Sequence, residues 1–361
     1  MTQKRLKVVF CWSTISGYMA ACWRALTRHP EVELSVLAHR PGASTHAAFA
    51  EEIMEGIPCR LLDDGEKNDA ALIESWVVGQ KPDIVVTTGW WLSAYRRLVD
   101  VPVLRRCAFM TGVDTPWRTP LQYVNRFRVG RYLRRLDRVV VAGERAWQHM
   151  RRLGVPEQHL GRGQYGVDWQ GLGSVVAKRA AADWPRRFLF VGRYVTEKGL
   201  DVLVEAYLGY RALVDDPWPL ECCGRGPLGS MLSGQPGIKD RGFVQPIAMH
   251  ERWRHAGVFV IPSRFDPWPL ALVEAAAAGL PIIATEACGS GVELLRERFN
   301  GLFVPTSDVQ ALAMAMVHMH QKVADLPEWG ERSRMLASAY SAEAWVERWI
   351  GYFRAARDFA G

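Results

Sequence analysis

From Leu6 onward the chain repeats one unit: a short apolar run, a turn, then a longer stretch with apolar residues every three or four positions. LKVVFCW, VELSVLAH, PDIVVTT, CAFMT and DRVVVAG are too short and too rich in β-branched residues for helices, whereas GYMAACWRALTRH has helical spacing. Near-continuous apolar runs belong to strands covered on both faces, as in parallel sheets whose crossovers are helices. The rhythm pauses between Gly161 and Trp184, then restarts with RRFLFVG, PLECCG, GVFVIP, LPIIAT and GLFVP. At 361 residues the chain is too long for one ordinary core. The pattern predicts an α/β protein of two doubly wound domains, 1–165 and 186–340, joined by 166–185 and facing a central cleft. The end, SAEAWVERWIGYFRAARDF, reads as an amphipathic, aromatic-rich helix.

Ligands of such sheets bind beyond the carboxyl ends of the strands. After FLFV come Gly192, Arg193 and, just before Gly199 and a helix, Lys198. Cations are disfavoured at a helix N-terminus by its dipole, so an Arg and a Lys there point to a diphosphate, the first as a fork and the second as a point charge. The next strand ends in CGRGPL, which places Arg225 in a Gly-flanked turn. Then comes PSRFDPWPLALVEAAAAGLP, with Asp266 in a proline-bearing loop and Glu274 eight positions on, inside an Ala-rich helix. A helix N-terminus seats a phosphate, and carboxylates beside it accept hydroxyl hydrogen bonds. Taken alone, Glu274 also fits a dipole-favoured acid and Asp266 an Asx turn before Pro267.

Composition narrows the function classes. Hydrophobic content of 49% is that of a globular protein. No apolar run is long enough to span a membrane, and MTQKRLKVVF reads as a first strand rather than a signal peptide. Seven cysteines without a C-x-x-C pair predict reduced thiols, no zinc site and a cytoplasmic setting. The balance is basic, 45 Lys and Arg against 38 Asp and Glu, and the excess is local. Between Arg118 and Arg152 stand Arg126, Arg128, Arg131, Arg134, Arg135, Arg138, Arg145 and Arg151, against only Asp137 and Glu144. Such a cluster fits an anionic partner or a solvated helical face equally well.

FVGRYVTEKGLDVLVEAY, CGRGPL, IPSRFDPWPLALVEAAAAGLPIIAT and GSGVELLRERFNGLFVPTSD together resemble, in order and spacing, the family-4 glycosyltransferases (glycosyl transferases group 1). These are retaining, nucleotide-sugar-dependent enzymes of the GT-B fold, two Rossmann-like domains. The resemblance is strong over 186–310. Over 1–170 it is weaker: SGYMAACWRAL is similar to the family's Gly-containing first turn, which would put Gly17 at the donor, and QYGVDWQGL to its linker motif. The resemblance implies that Glu274 holds the ribose hydroxyls, that Asp266 lies against the donor sugar and that Arg193 and Lys198 clamp the diphosphate. Gly192, Arg225, Trp268 and Leu270 stand in the matching donor-binding segments. It further implies an acceptor-side first domain, a C-terminal helix (341–361) crossing back to it, retention of configuration, and a nucleotide-diphosphate sugar as co-substrate with no other cofactor.

The chain departs from the family in three places. Asp266 is one methylene shorter than the usual Glu. The loop after it is Pro267-Trp268-Pro269 rather than Gly-rich, and Pro269 has no N–H to offer. The family's His after the fourth strand is missing from AFMTGVDTPW, where Asp114 is the nearest polar candidate for the reaction centre and equally a turn residue. The histidines elsewhere read as ordinary helical residues. Without an Asp-x-Asp triplet no metal site is expected. The expected partners are a nucleotide sugar and a saccharide or lipid-linked acceptor, anionic if the Arg cluster serves it, with peripheral contact at the inner face of the membrane. A GT-B nucleotide-sugar epimerase and a non-catalytic basic protein are the alternatives. Nucleic acid is not an expected partner, since no binding module or interleaved aromatic platform accompanies the arginines.

Overall fold

The computed structural model describes residues 5–41, 48–179 and 183–360. The chain divides into two compact units at Val167/Asp168 and Ala339/Tyr340, and Tyr340–Gly361 belongs to the first. The division falls near the start of the segment read as a linker. Trp169–Ala177, within that segment, form a helix of the second unit.

The first unit is built on seven parallel strands: β1 (Leu6–Trp12), β2 (Val32–His39), β3 (Cys59–Leu62), β4 (Ile84–Thr88), β5 (Ala108–Val113), β6 (Arg138–Val141) and β7 (Leu160–Arg162). Their order is β3-β2-β1-β4-β5-β6-β7. The crossovers carry helices α1 (Gly17–Thr27), α2 (Ala70–Gly79), α3 (Ser93–Arg97), α4 (Val124–Leu133) and α5 (Glu144–Arg152). The centre of the sheet explains the uninterrupted apolar runs. Val9 and Cys11 of β1 join one core with Ile73, Tyr95, Leu133 and Met150. Phe10, on the opposite face, meets Trp23 of α1 at 6.0 Å between ring centroids. The order reverses direction between β1 and β4, which makes their carboxyl ends the natural binding edge of this sheet.

The second unit has six parallel strands: β8 (Phe188–Val191), β9 (Leu220–Cys223), β10 (Ile238–Asp240), β11 (Val258–Ile261), β12 (Ile282–Thr285) and β13 (Gly301–Val304). They run in the order β10-β9-β8-β11-β12-β13, so the reversal lies between β8 and β11. Its helices are α6 (Trp169–Ala177), α7 (Leu200–Leu213), α8 (Pro246–Arg254), α9 (Leu270–Ala277), α10 (Gly291–Leu294), α11 (Val309–Gln321) and α12 (Leu326–Ala337). Arg179, just after α6, donates to Ala278 O at 2.8 Å and Gly279 O at 3.1 Å. It thereby satisfies carbonyls left open where α9 ends.

The last helix, α13 (Ala342–Ala360), completes the first unit's core. Trp345 and Trp349 are fully buried and lie 6.1 and 5.4 Å from Phe10. Each indole N–H also finds an acceptor: Trp345 Nε1 donates to Gln164 O at 2.8 Å and Trp349 Nε1 to Gly163 O at 3.2 Å. The helix thus fixes the chain just after β7.

Candidate functional site

The residues singled out in the second unit gather at the carboxyl ends of β8, β9 and β11. Gly192 and Arg193 follow β8, and Arg193 is exposed. Gly192 is not the left-handed position of this turn; Gly199 is, with φ of +69°. A Cβ on Gly199 would stand 2.1 Å from Pro262 O, so glycine alone lets the Lys198 turn approach the end of β11. That approach pairs Lys198 Nζ with Asp266 Oδ2, the side chains being 14% and 7% exposed. The expected phosphate cation and the expected sugar-facing acid therefore touch. A nearly buried ion pair needs both members, because removing one strands a charge in a poorly solvated place.

The loop carrying Asp266 is braced on both sides. Arg264 grips Asp201 with two bonds of 2.7 and 2.6 Å, pulling that carboxyl below its usual range and occupying the loop's own cation. Gly289 N donates to Asp266 O at 2.9 Å and Ser290 Oγ to Pro269 O at 3.0 Å. A Cβ on Gly289 would come 1.7 Å from Pro267 O, so the Gly-Ser-Gly stretch that leads into α10 is shaped to seat this loop. Trp268 is buried, and Leu270 opens α9 half-buried. Arg225 is exposed after β9, its carbonyl accepting from Tyr194 N at 2.8 Å.

Glu274 lies midway along α9, half-buried. Burial, with the nearby charge of Asp168 adding to it, pushes its carboxyl up to about 7. A group in this state takes either role in a hydrogen bond to a diol: the carboxylate accepts and the acid donates.

The first unit holds a cavity of about 390 Å³ at the ends of β1, β4 and β5, the binding edge named above. Asp114 lines it just past β5, half-buried, and accepts a hydrogen bond from Tyr165 OH at 3.0 Å. Burial, reinforced by the Asp114 charge, raises the Tyr165 phenol well above its usual value, so it stays a donor. Thr111 of β5 is buried and donates to Thr87 O at 3.1 Å. Gly17 begins α1, and the cavity takes its neighbours Ser13, Thr14 and Tyr18 instead.

One residue read as ordinary is brought to this cavity. His149 of α5 lines it, fully buried, with Nδ1 2.8 Å from Thr115 O. Burial holds its imidazole below the usual value. No histidine stands in the stretch just after β5, yet His149 reaches the cavity that Asp114 lines from the next crossover. The signal is present in ERAWQHMRR: His149 shares a helical face with Ala146 and Met150, both buried, so a polar ring stands on an apolar stripe. The cavity also takes Gln122 and Asn125 from the Arg-rich segment. The arginines of that segment, Arg126, Arg128, Arg131, Arg134 and Arg135, are exposed. Among the described residues no group of three or more His, Cys, Asp or Glu is placed to hold a metal ion.

The family model for glycosyl transferases group 1 matches residues 185–322. An exopolysaccharide phosphotransferase of Streptomyces coelicolor is 30% identical over 176 residues, which are 45% of this chain and 18% of that protein. The amylovoran biosynthesis glycosyltransferase AmsK of Erwinia amylovora is 29% identical over 198 residues, 50% of this chain and 47% of AmsK. The chain thus spans less than half the length of these two relatives. Solved structures match nearly end to end. A glycosyltransferase from Rickettsia africae superposes with a TM-score of 0.76 at 16% identity, covering 98% of this chain and 99% of that one. HepE of Anabaena, solved with UDP, gives 0.74 at 15% identity, covering 97% and 100%. At such identities the likeness speaks for the fold. Residues 185–322 thus match the glycosyl transferases group 1 model, and the chain as a whole has the GT-B fold.

Proposed function

We propose that the protein transfers a sugar from a nucleotide-diphosphate sugar to a saccharide or lipid-linked acceptor, with retention and without a metal ion. The observation that carries this is the meeting of Lys198, Asp266 and the α9 N-terminus at the β8/β11 reversal, inside the segment of group 1 character. Arg193 and Lys198 take the diphosphate, Glu274 the ribose hydroxyls and Asp266 the sugar, with Trp268 and Leu270 beside it and Gly192 and Arg225 at the neighbouring strand ends. Breaking the anomeric C–O bond leaves negative charge on the diphosphate and positive character on the ring. Fixed cations and helix N–H groups stabilise that leaving charge. The acceptor hydroxyl attacks from the face the diphosphate leaves, and a phosphate oxygen takes its proton. The two acids are not a hydrolase pair, since the diphosphate leaves without a general acid.

HepE has been solved with UDP and with UDP-glucose, which makes UDP-sugars the first donors to try. The experiment is thermal stabilisation by UDP-, GDP- and ADP-sugars, followed by detection of glycosylated product from whichever donor binds. Stabilisation by one class and transfer from it support the reading. Epimerised nucleotide sugar with no acceptor product would replace it with an isomerase, and no stabilisation by any donor would leave a basic binding protein.

The acceptor is met, on this reading, at a membrane surface. The segment that lines the cavity with Gln122 and Asn125 also exposes Leu121 (79%), Val124 (52%) and Phe127 (87%) among its arginines. Apolar residues projecting from a basic helix suit the boundary of an anionic bilayer. Among the described residues no helix is long and apolar enough to cross one. Contact at the inner face would be peripheral.

A further inference from the structure

Lys198 and Asp266 are joined by more than their ion pair. Glu197 O accepts from Arg264 N at 2.8 Å and from Phe265 N at 3.2 Å, and Thr196 O accepts from the Arg264 guanidinium at 2.9 Å. On its other side Asp266 is pinned by Gly289 N, which donates to its carbonyl at 2.9 Å, and by a parallel bridge to Cys288. The turn and the loop are thus fixed against each other, and only the side chains are free to part. A lysine has a flexible four-carbon stem and an aspartate a single methylene. Lys198 is therefore the member that can turn to a new partner, while the Asp266 carboxylate stays.

What stays is an acid with a 7% exposed side chain, for which Lys198 is the one ion-pair partner among the described residues. Its other neighbours do not replace that cation. Arg264 is committed to Asp201. The Cys288 thiol beside Asp266 is pushed up to about 11 by burial, and next by the Asp266 charge, so it stays neutral. A carboxylate so placed is costly once its cation turns away, unless hydroxyl or amide donors take over. The ionised end of a nucleoside diphosphate attracts Lys198 but brings acceptors only. A diphosphate esterified to a sugar brings hydroxyl donors in the same molecule.

We propose that the Lys198–Asp266 pair discriminates intact sugar nucleotide from spent nucleoside diphosphate. This rests on the reading of the second unit as the nucleotide-sugar side. In the free protein the two side chains hold each other. The diphosphate of a donor draws Lys198 away, and hydroxyls of the sugar take its place on Asp266. After transfer the sugar is gone, Asp266 is short of donors, and Lys198 is drawn back. The pair thus loosens the hold on a nucleoside diphosphate that must leave before the next donor enters. The short side chain of Asp266 suits this role, since it cannot follow the departing ammonium.

The test is a calorimetric titration of the full chain without acceptor. UDP is compared with UDP-glucose and UDP-N-acetylglucosamine, GDP with GDP-mannose, and ADP with ADP-glucose. The methyl ester of whichever diphosphate binds is the control, with the donor's charge and no sugar hydroxyl. The parent should bind a sugar nucleotide about tenfold or more tighter than the matching diphosphate or its methyl ester. Asp266→Asn should bind that diphosphate about tenfold tighter than the parent does, and should lose the preference for the sugar nucleotide. Should the variant fail to fold, the methyl ester carries the test on the parent. The proposal is overturned if the methyl ester binds the parent as tightly as the sugar nucleotide, or if Asp266→Asn holds the diphosphate no more tightly than the parent. In either case nucleotide binding leaves the transferase reading standing. Binding of no nucleotide at all would remove both.

Discussion

Replacing Glu274 by Gln tests whether α9 carries an acid placed for a ligand at the expense of the fold. Burial, and secondarily Asp168, pushes the Glu274 carboxyl up to about 7 from the ordinary glutamate value of 4.5. Between those values the folded chain holds a proton that the unfolded chain has released. The group therefore favours folding below pH 4.5, and the advantage is lost as pH rises through 7. One pKa unit is worth about 1.36 kcal/mol, so its contribution falls by about 2.5 kcal/mol between pH 5 and pH 8. Gln has the same shape and no proton to lose. The stability gap in favour of the variant should therefore widen by about 2.5 kcal/mol over that interval, roughly 5–10 °C in Tm for a domain of this size. Scanning calorimetry at both pH values, without nucleotide, reads this directly and separates the transitions of the two units. A gap that is the same at pH 5 and pH 8, or a variant less stable than the parent at pH 8, would falsify the assignment of a strained carboxyl. The same substitution should weaken binding of whichever nucleotide sugar the protein prefers, because an amide holds hydroxyls less firmly than a carboxylate.

Lys198→Ala and Arg193→Ala should each lower kcat by roughly 10- to 150-fold at saturating donor, the worth of about 1.5–3 kcal/mol at a charge that grows in the transition state; unchanged kcat in either removes that residue from the diphosphate. Lys198→Ala should also cost stability that Arg193→Ala does not, since Lys198 is paired with a buried acid and Arg193 is exposed. Activity should survive EDTA, with added magnesium changing the rate little; an absolute demand for a divalent ion would refute catalysis by Lys198, Arg193 and helix N–H groups alone. Phe127→Ser should reduce flotation with anionic vesicles by roughly tenfold, the worth of about 1.5 kcal/mol of apolar burial. Equal recovery of the parent on anionic and neutral vesicles at low salt would reduce the basic segment to a solvated face.

The fold is legible because its central strands are covered on both faces, and that burden shows in their composition. LKVVFCW is buried at every position but Lys7 and can be read to its boundaries, as can VELSVLAH. The strands that the apolar runs do not announce are β3, β7 and β10, each at the edge of its sheet. An edge strand pairs on one side only and is less covered, so CRLL, LGR and IKD need no run of apolar residues. The pause after Gly161 misleads for the same reason. It holds β7 and then α6, a nine-residue helix with two internal glycines whose anchoring comes through Arg179 and through Arg334, stacked 3.7 Å over Trp169. None of those contacts is local in sequence.

The two sites differ in legibility for a related reason. In the second unit the grouped residues come from turns whose shape is written in short strings: Lys198 beside Gly199, Asp266 beside two prolines, Gly289-Ser290-Gly291 to receive them. Backbone clashes enforce those strings, so they leave a mark that one chain can show. The Lys198–Asp266 contact is still not foreseeable, because it depends on how closely two crossovers approach. In the first unit the polar groups at the cavity, Asp114, His149, Gln164 and Tyr165, come from a strand end, a helix face and the chain after an edge strand. Each is unremarkable in its own element. Their meeting is set by the β1/β4 reversal and by α13, whose indoles hold the carbonyls of Gly163 and Gln164 from far along the chain. What makes them a site is visible only after assembly: polar side chains from separate elements brought to one cavity.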